Sequence, residues 1–241
     1  MLEKTRGIVF RKIKYSESSL ILQVYTEKFG LQSLMARGTR SRKSKLKAGL
    51  FQHLALLDLV IYRNEKKDIH HIKEVKPAYS FSSIPFDIRK SSLVVFMNEV
   101  LLKSIKEEEE NEGLFRFLFN SIQILDIKKE GIAEFHLLFL VLLSKFLGFF
   151  PDKDFSEDRP SFDLQEGKFI KSSESSDLLM PMPFSQYLFR FLSLNYDSEE
   201  NLKLPGNLKN GFLDYLLKYY RIHLPGFGEL KSHIILREVL G

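Results

Sequence analysis

Six cations fall within the segment Arg37-Gly38-Thr39-Arg40-Ser41-Arg42-Lys43-Ser44-Lys45-Leu46-Lys47, with no acid and a single large apolar side chain, Leu46. A segment of this composition cannot be core. Its glycine, serines and threonine leave the backbone pliable and add hydroxyl donors. Arginine grips phosphate oxygens in pairs and lysine acts as a point charge, so the chemistry that suits this spacing is capture of a phosphate backbone. The candidate phosphate ligands are Arg37, Arg40, Arg42, Lys43, Lys45 and Lys47. If roughly four to six of them each neutralise one phosphate, single-strand binding weakens with salt at a log–log slope of about −3 to −4. Nothing in the segment reads base edges, so little sequence preference is expected. The plainer alternative is a solvated loop with no ligand. Tyr15, Tyr25, Phe29, Phe51, Tyr62 and Tyr79 could supply stacking, although aromatics at such positions more commonly fill a core or its rim.

The surrounding charge is uneven. The chain of 241 residues carries a net +5. Residues 1–80 hold 17 Lys and Arg against 7 acids, a net +10, whereas residues 81–241 hold 19 against 24, a net −5. Surplus lysine for solubility is common in small domains, but clustering of this kind points to a polyanion.

Residues for other chemistries are sparse. The absence of cysteine excludes disulfides, thiolate metal sites and cysteine nucleophiles. No glycine-rich phosphate loop and no GxSxG elbow is present. His70 and His71 are adjacent, so on a strand they point to opposite faces. His53, His136, His223 and His233 complete the set without an HExxH spacing, and His136 on an apolar helix reads as a satisfied core residue. Asp152, Asp154, Glu157 and Asp158 could meet a hard cation but lack EF-hand spacing. We therefore expect no metal, no cofactor and no catalytic residue: a binding protein rather than an enzyme. No apolar run reaches the roughly 18 residues of a membrane span. The candidate Phe135–Phe150 is broken by His136, Lys145 and Gly148, and the N-terminus lacks a signal-peptide stretch, which fits the cytoplasm.

The elements that must position the cationic segment read in two periods. Period-two alternation marks five short strands before residue 80: around Ile8–Ile13, Leu20–Tyr25, Leu31–Arg37, Leu54–Tyr62 and Ile69–Val75. Thr26-Glu27-Lys28-Phe29-Gly30 makes a hairpin-like turn between the second and third. Five strands in this length suit a small closed barrel of the OB type, whose outer face and loops hold single-stranded nucleic acid; an SH3-like barrel is the structural competitor. Past Phe81 the period becomes helical, with helices expected from Ser83-Ile84-Pro85 onward, at Leu114–Leu125, Ile132–Leu147, Pro183–Leu194, Leu208–His223 and Glu229–Leu240. Phe162–Phe169 reads as a hairpin turning at Glu166-Gly167. The fold class is thus α+β, with an N-terminal five-stranded OB-type barrel over residues 1–80 and an all-helical C-terminal domain over residues 81–241. A small hairpin insertion is expected near residues 151–182.

Several strings then acquire a common meaning. Thr5-Arg6-Gly7-Ile8-Val9-Phe10-Arg11, Tyr15 to Leu22, Tyr25-Thr26-Glu27-Lys28-Phe29-Gly30 and Ala36-Arg37-Gly38 with Ser44-Lys45 resemble, in this order, the RecO family of bacterial DNA repair proteins. The resemblance continues through Leu147-Gly148-Phe149-Phe150-Pro151, Phe162-Asp163-Leu164, Gly167-Lys168-Phe169 and Lys231-Ser232. It implies an OB barrel on a helical domain and a recombination mediator. Such a protein binds single- and double-stranded DNA, anneals complementary strands and helps load recombinase onto coated single strands. It also implies two protein partners: RecR, and the acidic, apolar C-terminal tail of single-strand-binding protein. Many family members carry a four-cysteine zinc site after the Leu-Gly-Phe-x-Pro segment. With no cysteine here, that zinc is expected to be absent and the Phe162–Phe169 hairpin to fill its place by packing.

On the matched positions, the resemblance adds Arg6 and Arg11 to the DNA-facing cations. It offers Lys145, Phe146 and Phe149 as candidates for the tail-binding pocket. Two alternatives remain open on sequence: a protein–protein adaptor whose basic patch meets an acidic partner, and an RNA-binding factor using the same barrel.

Overall fold

Period-two alternation folds as expected. The computed structural model describes residues 1–39, 46–64, 66–171, 176–198 and 202–240. Strands β1 (Leu2–Lys14), β2 (Ser19–Thr26), β3 (Gly30–Arg37), β4 (Leu56–Tyr62) and β5 (Ile69–Pro77) close a barrel in the order β1-β2-β3-β5-β4. The β3–β5 pair runs parallel, from Ser33 opposite Ile69 to Met35 opposite His71, and the other pairs are antiparallel. This order is the OB arrangement and excludes an all-antiparallel SH3-like barrel.

β1 serves two partners. Leu2–Ile8 pair with β4, and Gly7–Lys14 pair with β2, with a register shift between Val9 and Arg11. Such a bulge bends a strand and strengthens its twist, which lets one strand turn the barrel corner. Gly7 lies where both pairings overlap. A Cβ there would sit 2.6 Å from Val24 Cγ1 and 2.8 Å from Leu59 Cδ1, so the crowded interior requires glycine. Val9, Leu22, Val24, Leu34, Ala36, Leu57, Leu59, Ile61 and Ile72 fill the barrel with Phe51.

Two helices follow, α1 (Ile88–Ser104) and α2 (Glu112–Ile127). They explain why β1 and β2 are apolar on both faces. Tyr25 stacks on Phe10 with ring centroids 5.8 Å apart, and lies 6.2 Å from Phe115 of α2. α2 thus roofs part of the barrel's outer surface. At the β2–β3 turn, the Thr26 hydroxyl donates to the Gly30 carbonyl at 2.9 Å and accepts the Phe29 N–H at 3.1 Å. Gly30 has φ +60°, and a Cβ there would be 2.4 Å from the Glu109 carbonyl oxygen. The acidic run Glu107–Glu110 therefore exposes its carboxylates while its backbone packs on the turn.

Asp126, near the end of α2, fixes the strand-to-helix connection. Its buried carboxylate accepts the backbone N–H groups of Ser82, Ser83 and Ile84 and the hydroxyls of Ser82 and Tyr79. Burial alone would raise its pKa, but these donors outweigh it and hold the group well below the usual carboxylate range. The same capture makes residues 84–86 a 3-10 turn, so α1 begins at Ile88 rather than at the Ser83-Ile84-Pro85 start read from sequence.

Contacts divide the chain into two compact units, Met1–Asp87 with Met97–Ile127, and Ile88–Phe96 with Lys128–Gly241. The sequence pattern changes at residue 81, yet α2 groups with the barrel, because the barrel's outer aromatics need a cover. In the second unit, α3 (Phe135–Phe146) is buried nearly all round and packs with α4 (Phe184–Leu192) and α5 (Gly206–His223); α6 (Ser232–Leu240) follows. The hairpin β6 (Ser161–Asp163) and β7 (Lys168–Ile170) forms as expected. It gains a third strand, β8 (Leu179–Met180), in the order β7-β6-β8. Two residues of alternation are too few to announce such a strand. Phe162, Phe169, Phe155, Phe189 and Tyr219 pack ring against ring across this sheet, with centroids 5.1–6.3 Å apart.

Candidate nucleic-acid interface

The cationic segment leaves the barrel at the end of β3. Arg37 closes that strand, exposed and opposite Ser19, with its Nε 3.4 Å from the Met35 sulfur. Gly38 then turns the chain with φ +70°. Thr39 is buried, and its N–H and hydroxyl both donate to the Ser18 carbonyl, at 2.9 and 3.1 Å. Thr39 is thereby pinned to the β1–β2 turn. The segment returns at Leu46, half-buried against the barrel core, and exposed Lys47 precedes a short 3-10 turn, Ala48–Leu50. The sequence-predicted residues Arg40, Arg42, Lys43 and Lys45 lie outside the described residues.

The same barrel end gathers more cations. Lys14 pairs with Leu20, the neighbour of Ser19, and Arg11, Lys12 and Lys14 are all exposed. Tyr15 follows, 64% exposed. Sequence reading singled out Arg11 but not Lys12 or Lys14. Their signal was available: they stand opposite Leu22 and Leu20, where continued alternation would place apolar residues. Lysine there means that β1 has outrun the core. In the β4–β5 loop, Lys66 and Lys67 are exposed as well. His71 is held below its ordinary pKa first by burial, then by the charges of Arg37 and Lys67. Lys67 could not be tied to the end of β3 from sequence, because only the parallel β3–β5 pairing brings His71 opposite Met35.

Arg6 occupies a different setting. Its Nε donates to Glu27 Oε2 at 2.9 Å and a terminal nitrogen donates to Oε1 at 2.5 Å. The guanidinium also lies 4.9 Å from the Phe119 ring centroid and 5.5 Å from that of Phe115. Its hydrogen bond to Glu27 raises the arginine pKa and lowers that of the glutamate. This guanidinium is committed to binding α2 onto the barrel. It borders a groove of about 780 Å³ whose lining includes Lys4, Arg6, Lys73 and Lys76 but also Glu27, Asp58 and Glu74. A phosphate backbone would meet carboxylates there, so the groove does not suit a polyanion.

The proposed partner residues sit at the end of α3. Lys145 is exposed and Phe146 is 36% exposed, whereas Phe149 stacks on His223 at 5.3 Å and meets Tyr219 and Tyr220 edge-on. His136 is buried as expected, but its Nδ1 has no hydrogen-bond partner, so the expectation of a satisfied core histidine is corrected. The Phe96 ring meets the imidazole edge-on with centroids 5.7 Å apart. Among the described residues no group of three or more His, Asp or Glu could hold a metal ion, and no helix is long and apolar enough to cross a membrane.

Residues 1–81 match the family described as Recombination protein O N terminal, and residues 85–233 match Recombination protein O C terminal. The chain is similar to the DNA repair protein RecO of Christiangramia forsetii, 37% identical with all of both chains covered. It is 36% identical to that of Bacteroides fragilis over 99% of each chain, and 38% identical to that of Flavobacterium psychrophilum over 98% of each.

Proposed function

The chain belongs to the RecO family of DNA repair proteins, and from that premise we propose that its barrel captures DNA backbone so that strands can be annealed and handed on. Arg37, Arg40, Arg42, Lys43, Lys45 and Lys47, joined by Arg11, Lys12 and Lys14, neutralise phosphates of single strands and duplexes. Two captured strands then repel each other less, and base pairing proceeds without any covalent step. The protein works in the cytoplasm, with RecR and the acidic tail of single-strand-binding protein as partners, and helps load recombinase onto coated single strands. Lys145 and Phe146 supply the cation and the apolar contact for that tail, with Phe149 bracing the end of α3.

The observation that supports this reading is the anchoring of Thr39 on Ser18, at the barrel end where Arg37, Lys12 and Lys14 are exposed. The test is the quadruple substitution Arg40→Ala, Arg42→Ala, Lys43→Ala, Lys45→Ala. It leaves melting unchanged, cuts affinity for a thymidine oligonucleotide at least tenfold at moderate salt, and flattens the salt slope by about 3. Unchanged affinity would overturn the assignment. A loss of annealing in the same variant is the expected functional counterpart.

A further inference from the structure

Strand register places five side chains in one line across the outside of the barrel. Ile13 stands opposite Ile21, Ile21 opposite Met35, Met35 opposite His71, and His71 opposite Tyr62. Cross-strand partners share a face. The face is the outer one, because the chain neighbours Leu22, Leu34, Ile72 and Ile61, which alternate with the line's residues along their strands, fill the core. At the Tyr25 position the outer face is roofed by Phe115, whereas this line is open at its two ends: Tyr62 is 49% exposed and Ile13 43%, Ile21 and His71 are half-buried, and Met35 at the centre is buried. Four strand spacings of about 4.8 Å make it roughly 19 Å long, room for a few stacked bases.

Charge brackets the line on both sides. Arg11 lies in the next line along the strands, opposite Gln23, and Arg37 lies in the line beyond Met35, with its Nε against the Met35 sulfur. Lys67 approaches from the β4–β5 loop. The line itself holds no acid. An aromatic and apolar strip flanked by cations is the arrangement that holds unpaired bases by their π-faces and their backbone by charge. A duplex hides its bases and gains only the charge.

We infer that the line Ile13–Ile21–Met35–His71–Tyr62 is a stacking platform for the bases of a single strand, with Tyr62 and His71 as the stacking residues. This rests on the proposed DNA-capturing role and assigns it a device for preferring unpaired strands. The cationic segment then holds either form of DNA, and the platform favours the single strand.

The experiment compares Tyr62→Ala/His71→Ala with the wild-type chain on a thymidine 20-mer and on an abasic 20-mer of the same phosphate count. The double variant loses tenfold or more on the thymidine strand, changes less than twofold on the abasic strand, and keeps the wild-type salt slope. Equal losses on both strands, or none on either, overturn the platform. The quadruple loop variant, run in parallel, loses affinity on both strands. Its failure would refute the capture role itself, so the two readings fail separately. The chain contains no tryptophan, so Tyr62→Trp gives a single reporter that does not depend on a truncated side chain. Quenching of its fluorescence by the thymidine strand but not by the abasic one supports stacking, and no difference between them refutes it.

Discussion

Arg6 and Arg37 are both arginines on the basic barrel, but Arg6 is paired with Glu27 whereas Arg37 is exposed, and under the proposed function alanine at each position should act differently. Arg6 forms a two-point contact with Glu27, but the side chains are 43% and 26% exposed, so solvent screens the pair and it contributes no more than about 1 kcal/mol. Its guanidinium over two phenylalanine rings adds about 0.5–1 kcal/mol, and the stem covers some ring surface. Arg6→Ala should therefore destabilise the fold by about 2 kcal/mol, a fall of about 4–8 °C in Tm. It should leave the salt dependence of DNA binding untouched. Arg37→Ala should do the reverse, with Tm unchanged and the log–log slope on single strands reduced by about 0.7, one phosphate contact. Calorimetry supplies Tm, and fluorescence anisotropy of a labelled thymidine oligonucleotide across 50–300 mM salt, about the range over which such slopes are measured, supplies the slope. An Arg6→Ala chain that melts normally but binds with a slope shallower by about 0.7 would refute the reasoning, since Arg6 would then be spending its charge on phosphate.

Three further outcomes are expected. Burial, with a smaller push from Lys209, holds His136 down to about 3. Its neutral form is the one that folds, so stability is complete above pH 6.5 and declines as pH falls below it; relative to His136→Leu, the wild-type chain should lose about 2 kcal/mol between pH 7 and 5, read from denaturant midpoints. Asp126→Asn converts a multiply bonded carboxylate into a poorer acceptor and should cost about 2–4 kcal/mol at neutral pH. Because the folded group is depressed, that difference should persist above pH 4 and shrink as acid titrates the wild-type carboxylate, with equal acid profiles counting against the latch. Gly30→Ala places a Cβ against the Glu109 backbone at positive φ and should lower stability by about 2 kcal/mol or more, whereas an unchanged melt would show that residues 107–109 do not pack on the turn.

Much of this molecule can be read from order along the chain, because the forces involved are local. Alternation in Leu57 to Tyr62 announces a strand with one buried face, Thr26 and Gly30 announce a tight turn, and apolar residues all round Phe135–Phe146 announce a central helix. Six cations without an acid announce a segment that cannot be core. What order along the chain leaves open is pairing. Whether an arginine is available depends on whether a carboxylate such as Glu27 and a ring such as Phe119 lie beside it, and those neighbours are 21 and 113 positions away. The barrel's parallel closure brings Met35 to His71, and the bulge after Val9 decides which β1 residues face outward. Ile13, Ile21, Met35, Tyr62 and His71 form a line only when five strands adopt one register. Composition and periodicity therefore set the elements and the sign of the surface. Register, a long-range property fixed by simultaneous packing of every strand, set which charges stay free and which side chains stand together.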